Sequence, residues 1–556
     1  MSNLEEPSAS RLDLAFAQFL GRRSGFEKAR KSAFEKLLAQ LSYEQTQGHS
    51  CMLVDIQAQE LLLQSGLAKK MSPAHVESPA LSTTTLPLII EAERLYTQRY
   101  WFYEQRLAQQ ILQKTLIHYP LSNLNSALDR YFGVTSDAVD WQRAAAEMAL
   151  QQAFTLITGG PGTGKTTTVV KILALMQEFS ANPLHIALAA PTGKAAMRLQ
   201  EAIGHHKSAL PCSAAIKHAI PESVTTLHRL LGAKQNSPYF HHHAAKPLAY
   251  DLVVVDEASM IDLALLSKLV DALKPDARLI LLGDKEQLAS VESGAVLADL
   301  NAALPKHSLE LKTSHRFEGA IKSLAEAINA QLPEQAWRVL TAPNTAVSLL
   351  NDQVIAYISE QQHPYLKLIK AGATYPEIYQ AFMRFQVLFA NRQGPNSVMD
   401  INYQVEQRLA QQNLIPLSGL WYSGRPILIT QNNATLHLYN GDIGICLPDP
   451  EQPTKLKVFF ERPDGSIKSY LPARITHCET VFAMTIHKSQ GSEFEEVLVV
   501  LPDTLNPILT KELLYTAITR AKKTVKIQTR LEIFNATIRQ KVQRVTGLMQ
   551  KLNSLG

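Results

Sequence analysis

The chain has 556 residues, 46% of them hydrophobic and 19% charged, with 25 glycines and 28 prolines. At roughly 150 residues per domain this length holds three or four domains, and the composition excludes disordered, fibrous and mucin-like chains. A formal net charge of +5 is too mild to name a nucleic-acid partner by itself. The acidic start Met1-Ser2-Asn3-Leu4-Glu5-Glu6 is unlike a signal peptide, and no apolar run is long enough for a membrane span. A cytoplasmic protein with no membrane association is therefore expected.

In chain order, residues 1–114 read as a helical N-terminal domain: Leu12, Phe16, Phe19 and Leu20 share a helical face, as do Phe34, Leu37, Leu38 and Leu41. Ser72 to Pro87 is a Ser/Pro/Thr-rich connection. Between Arg94 and Arg106 five aromatic residues interleave with Arg99, a pattern read first as core or domain-contact packing. From about residue 140 the texture changes to buried strands separated by helical patterns. The strands are expected at Phe154 to Thr158, His185 to Ala190, Leu252 to Val255, Arg278 to Leu282, Gln386 to Ala390, Glu496 to Leu501 and Thr524 to Ile527. Alternating strands and helices imply parallel sheets, and the gap after the fourth strand implies two of them. Trp421 to about Cys478 differs, with short alternating strands between turns such as Asn440-Gly441, as in a small antiparallel barrel. Cys51, Cys212, Cys446 and Cys478 are scattered, so neither a disulfide framework nor a zinc site is expected.

The chemistry begins at Gly159-Gly160-Pro161-Gly162-Thr163-Gly164-Lys165-Thr166, a G-x-x-x-x-G-K-T loop between an apolar strand and a helical pattern. Such glycines let backbone N–H groups close on phosphates beside a helix N-terminus, with Lys165 reaching the β- and γ-phosphates and Thr166 ligating Mg²⁺. The buried strand Leu252 to Val255 ends in Asp256 and Glu257, and paired carboxylates on so dry a strand need a use. In phosphate-loop enzymes the first acid holds Mg²⁺ and the second takes a proton from the attacking water. Gln287 follows the next strand at the sheet edge where ligands of open α/β folds bind, placed to sense a γ-phosphate. Arg316 and Arg520 are candidate arginine fingers. His241-His242-His243 cannot all face one metal from a helix or strand.

The order GGPGTGKT (159–166), APTGKAAMRL (190–199), TTLHRLLG (225–232), VVVDEASMID (253–262), LLGDKEQLASVESGAVLADL (281–300), TSHRF (313–317), AMTIHKSQGSEFE (483–495) and YTAITRA (515–521) resembles superfamily 1 helicases of the 5′→3′ class. FANRQGP (389–395), WYSGRPILITQNN (421–433) and YNGDIGI (439–445) narrow the resemblance to the RecD family, alpha subunits of the RecBCD enzyme, exodeoxyribonuclease V.

The resemblance implies an α/β fold of two RecA-like domains with parallel sheets, an inserted SH3-like β-barrel at about 421–478 and the N-terminal domain at 1–114. The first motor domain would span 115–345, with a β-hairpin insertion at about 233–249, and the second 346–556. It implies ATP and Mg²⁺ as cofactors and Gln142 as the adenine-reading amide. Thr192, Lys194, Thr226, His228, Thr485, His487, Lys488 and Ser489 would face single-stranded DNA or couple it to the nucleotide, since hydroxyls and lysines suit phosphate contacts. His315 stands where this superfamily commonly has an adenine-stacking tyrosine. The implied partners are DNA ends, single- and double-stranded, and the RecB and RecC subunits, contacted through the N-terminal domain. The implied role is ATP-dependent 5′→3′ unwinding in double-strand break repair and degradation of linear DNA. No second carboxylate cluster with a nuclease-like lysine is present, so strand cleavage is not expected in this chain. A stand-alone 5′→3′ helicase of the second RecD group is the alternative.

Overall fold

The computed structural model describes residues 9–71, 86–134, 139–235, 237–290, 293–314, 319–351, 353–392, 397–417, 419–433, 435–462 and 465–555. No helix among them is long and apolar enough to cross a membrane.

The N-terminal region departs from the helical expectation. Helices Arg11–Gly21, Lys28–Thr46 and Ile56–Gln64 pack with a four-stranded sheet of β1 (Met52–Leu53), β2 (Ala68–Met71), β3 (Leu88–Glu91) and β4 (Arg94–Thr97), ordered β1-β4-β3-β2. Strands of two to four residues are too short to show a period of two, which is why the sequence pattern hid them. The aromatic stretch divides at Thr97. Tyr96 lies in β4 and is fully buried, whereas Trp101 lies on the helix Gln98–Thr115 that follows.

The first lobe is a parallel sheet of β5 (Phe154–Thr158), β6 (Ile186–Ala190), β7 (Val224–Thr226), β8 (Leu252–Val255), β9 (Arg278–Gly283) and β10 (Ser308–Glu310), in the order β10-β5-β9-β8-β6-β7. β5, β6 and β8 are buried along their whole length, as a sheet covered by helices on both faces requires. The second lobe is also wholly parallel. It holds β11 (Val347–Leu349) and β12 (Phe385–Phe389), and after an insertion β18 (Ala483–Thr485), β19 (Phe494–Val500) and β20 (Ala521–Gln528), ordered β11-β20-β19-β12-β18. The insertion is an antiparallel sheet of β13 (Pro426–Ile429), β14 (Ile443–Pro448), β15 (Leu456–Glu461), β16 (Ile467–Tyr470) and β17 (Cys478–Thr480), ordered β16-β15-β14-β13-β17. Its edges β16 and β17 do not pair among the described residues, so the expected barrel is not closed by hydrogen bonds.

Three domain boundaries shift from the sequence expectation because apolar faces pack elsewhere. Leu107, Ala108 and Ile111 of the helix Gln98–Thr115 enter the first-lobe core beside Phe154 and Leu156. Helices Ala320–Asn329 and Pro333–Thr341 bury Leu324, Ile328, Ala336 and Leu340 in the second-lobe core. The last helix, Leu548–Leu555, returns to the first lobe through Leu548 and Leu552. Among the described residues the expected hairpin at 233–249 shows two isolated antiparallel bridges, Ala233 to Phe240 and His243 to Lys246. Pro238 and Pro247 remove ladder donors there.

Candidate nucleotide site and strand-facing surface

β5 delivers the glycine loop to the carboxyl edge of the first sheet, and the helix Lys165–Phe179 leaves from it. Gly164 caps that helix at φ 81°, and a Cβ there would lie 2.3 Å from Nε2 of Gln142. The left-handed backbone demands glycine here, and a side chain would also push the Gln142 amide off the loop. Gln142 Nε2 donates to Thr163 O at 3.2 Å, so the amide expected to read adenine rests on the phosphate loop. Lys165 Nζ donates to Gly159 O at 2.6 Å and Gly160 O at 3.0 Å, which holds its ammonium over the loop.

β8 ends beside the loop in Asp256 and Glu257. Glu257 has φ 52°, in the left-handed region, where a β-carbon costs energy and which functional sites tolerate when the fold enforces it. Burial, and then the adjacent Glu257, push the Asp256 carboxyl up to about 6, opposed by Lys165. Two carboxylates held this close with a threonine hydroxyl in the same cleft make a hard-oxygen donor set suited to a divalent cation, whose charge would reverse that shift. Gln287 is buried, and its Nε2 donates to Asp284 Oδ2 at 3.0 Å. Asp284, also buried, has its carboxyl raised by desolvation.

The second lobe closes the cleft through the helix Lys511–Ile518 and the residues just after it. Tyr515 Oη donates to the same Asp284 Oδ2 at 3.1 Å, and a Cβ on Gly160 would lie 3.0 Å from that hydroxyl. Leu288 N donates to Thr516 Oγ1 at 2.8 Å, and Lys511 pairs with Glu286 at 2.8 Å. Arg520 is buried, with Nε donating to Thr516 O at 3.1 Å. Burial depresses its pKa, and Glu257 is the first charge opposing that shift. Gln142, Lys165, Thr166, Asp256, Glu257, Gln287 and Arg520 thus line one cleft of about 710 Å³.

Asp284, Tyr515 and Arg198 were not singled out by sequence reasoning. Arg198 lines the cleft from the helix Gly193–Ser208 and reaches Glu493 of the second lobe at 3.3 Å. All three lie inside motif blocks, but a motif does not print which residue of the other lobe answers it. Arg316 and His315 lie outside the described residues.

The strand-facing candidates divide into accessible and enclosed groups. Thr192 follows β6 and Thr226 ends the adjacent β7, each capping a helix by accepting from Ala195 N and Arg229 N respectively. His228 is exposed and meets Phe240 edge-on at 5.8 Å between ring centroids. Lys194 is half-buried, and burial followed by Arg198 lowers its pKa to about 8 against the pull of Asp442. In the second lobe Lys488 pairs with Glu479, and burial lowers the pKa of His487. Ser489 is fully enclosed and donates to Ile486 O at 2.7 Å, and buried Thr485 accepts from Lys488 N at 3.4 Å. These two hydroxyls hold the turn that carries His487 and Lys488.

Residues 142–293 match the AAA domain family, and residues 480–527 match the UvrD-like helicase C-terminal domain. The chain is 40% identical over 472 residues to the RecBCD enzyme subunit RecD of Mycolicibacterium smegmatis, covering 83% of each chain. It is 36% identical over 534 residues to the protein of that name from Haemophilus influenzae, covering 84% of this chain and 82% of that one. Its identity to the ATP-dependent RecD2 DNA helicase of Deinococcus radiodurans is 29%, over 74% of this chain and 52% of that one.

Proposed function

The chain belongs to the RecD family of RecBCD enzyme subunits, and from that premise we propose that its cleft is the ATPase site of a DNA-translocating motor. It is an ATP-dependent DNA helicase subunit. The observation that carries the site assignment is the presence of Arg520, from the second lobe, in one cleft with Lys165, Asp256, Glu257 and Gln287 of the first.

In the proposed mechanism the glycine loop and Lys165 hold the β- and γ-phosphates, and Gln142 faces the base. Thr166 and Asp256 would hold Mg²⁺, which supplies charge neutralisation on the phosphate oxygens. Glu257 accepts the proton of the attacking water, Gln287 orients toward the γ-phosphate, and Arg520 stabilises charge as the phosphoryl group transfers. Arg316 takes a second arginine role by family pattern alone. A γ-phosphate touching both lobes draws them together and its loss releases them, so each cycle moves the chain along single-stranded DNA, 5′→3′. Thr192, Lys194, Thr226, His228, His487 and Lys488 form the track, and the inserted sheet, read as an SH3-like fold, grips the strand beside them.

The partners proposed are RecB and RecC, bound through the N-terminal region in the cytoplasm, and the complex processes broken linear DNA ends. The stand-alone alternative is not favoured, because the RecD relatives match at higher identity and over more of their length than the RecD2 helicase does. The test is unwinding of duplexes bearing a single 5′ or 3′ tail by the chain co-purified with its partners, with the partner helicase inactivated. Unwinding from the 5′ tail alone supports the reading, and unwinding from the 3′ tail alone contradicts it.

A further inference from the structure

Beyond the helix Leu531–Arg539 the chain leaves the second lobe as a strap, residues 540–547, before the last helix docks on the first lobe. At its start the strap is fixed to the second lobe: Lys511 N donates to Gln540 O at 2.8 Å and Val542 N to Glu512 Oε2 at 3.1 Å. At its end it is fixed to the first lobe and its N-terminal neighbour. Thr546 Oγ1 donates to Asp299 Oδ2 at 2.6 Å and Gly547 N to Glu104 Oε1 at 3.1 Å, while buried Lys551 pairs with Glu91.

Between these anchors Arg544 grips the loop that continues from Gln287. Its Nη1 donates to Gly294 O at 2.8 Å and its Nη2 donates to Ser290 O. The N-terminal region holds the same loop from another side, with Gly294 N donating to Gly48 O at 2.9 Å and Ser293 Oγ to Gln45 O at 3.1 Å. Ser290 N donates to Ser259 O at 3.1 Å, two residues beyond Glu257. One short segment therefore touches the carboxylate strand end, the N-terminal region and the C-terminal strap.

We propose that Arg544 is a positioning residue for ATP hydrolysis, fixing the loop after Gln287 against the Glu257–Ser259 segment so that both side chains meet the nucleotide in register. Arginine suits this place because its planar fork presents two N–H donors to two separate carbonyls in fixed directions, whereas a lysine ammonium is a single point of charge on a flexible stem. The strap spans from second lobe to first, so its hold on the loop also depends on how the lobes stand. This inference rests on the ATPase reading above.

The test uses the full chain with its co-purifying partners and measures DNA-stimulated ATP hydrolysis and thermal unfolding. Arg544→Ala is expected to lower kcat about tenfold, with KM for ATP within about twofold because nucleotide binding itself is untouched. Arg544→Lys is expected to recover part of that loss. Leu409→Ala, a core truncation in the second lobe away from strap, loop and cleft, is expected to lower Tm and leave kcat unchanged. A lower Tm with unchanged kcat in Arg544→Ala would make the strap purely structural and overturn the proposal. If Arg544→Ala does not fold, wild-type kcat in Arg544→Lys overturns it equally. Absence of DNA-stimulated hydrolysis in the wild type would instead overturn the functional reading beneath it.

Discussion

The two parallel sheets share an architecture and differ in what stands at their carboxyl edges. In the first lobe β5 and β8 run into Lys165, Thr166, Asp256 and Glu257 around a glycine loop. In the second, β12 and β19 end at a smaller pocket of about 520 Å³ lined by Phe389, Val500, Leu501 and Arg408, with no such glycine loop among the described residues. The second lobe instead reaches the nucleotide cleft sideways, from the helix Lys511–Ile518, all of whose residues are buried, and from Arg520 just beyond it. On the proposed assignment the first lobe binds and the second makes binding productive. Hydrogen bonds from Leu288 to Thr516 and from Tyr515 to Asp284 join the two lobes beside that cleft.

That division is open to attack at graded strength. Lys165→Gln removes the phosphate-binding charge from the first lobe and should reduce DNA-stimulated ATPase by roughly 10³-fold or more, with unchanged Tm showing that folding survives. Retained turnover would end the assignment. Tyr515→Phe deletes only the hydroxyl bonded to Asp284 and leaves that buried carboxylate short of a donor. A kcat loss of about tenfold is expected, with the KM for ATP little altered, in steady-state assays. The smallest effect belongs to the track. Lys194, lowered to about 8, carries its charge at pH 7 and loses it as pH rises through that value. Affinity for a fluorescent oligothymidylate should fall about threefold more between pH 7 and pH 9 in the wild type than in Lys194→Arg, which stays charged.

What the sequence made legible follows from length and from local geometry. The glycine loop, the acidic strand end and the seven longer strands each declare themselves within a few consecutive residues, and all seven strands are present. The three-residue strands β7, β10, β11 and β18 and the N-terminal sheet do not, because so few residues cannot display a period. Domain edges were misread where a helix packs away from its neighbours in sequence, as with Leu107 and Ile111 on the first lobe. The bond from the Ser489 hydroxyl to the backbone of its own turn is likewise visible only in the fold. The partners of Asp284 and Arg198 lie more than 200 residues away in the chain, in the other lobe, so only the fold reveals them.

The central claim is that the two lobes divide binding from turnover at one nucleotide. Arg520→Ala tests it most directly, by measuring affinity for a non-hydrolysable ATP analogue and single-turnover ATP hydrolysis on the same preparation. The account predicts affinity within about threefold of the wild type and hydrolysis slowed by roughly 10³-fold or more. Hydrolysis at the wild-type rate, or loss of binding and hydrolysis in equal measure, would contradict it.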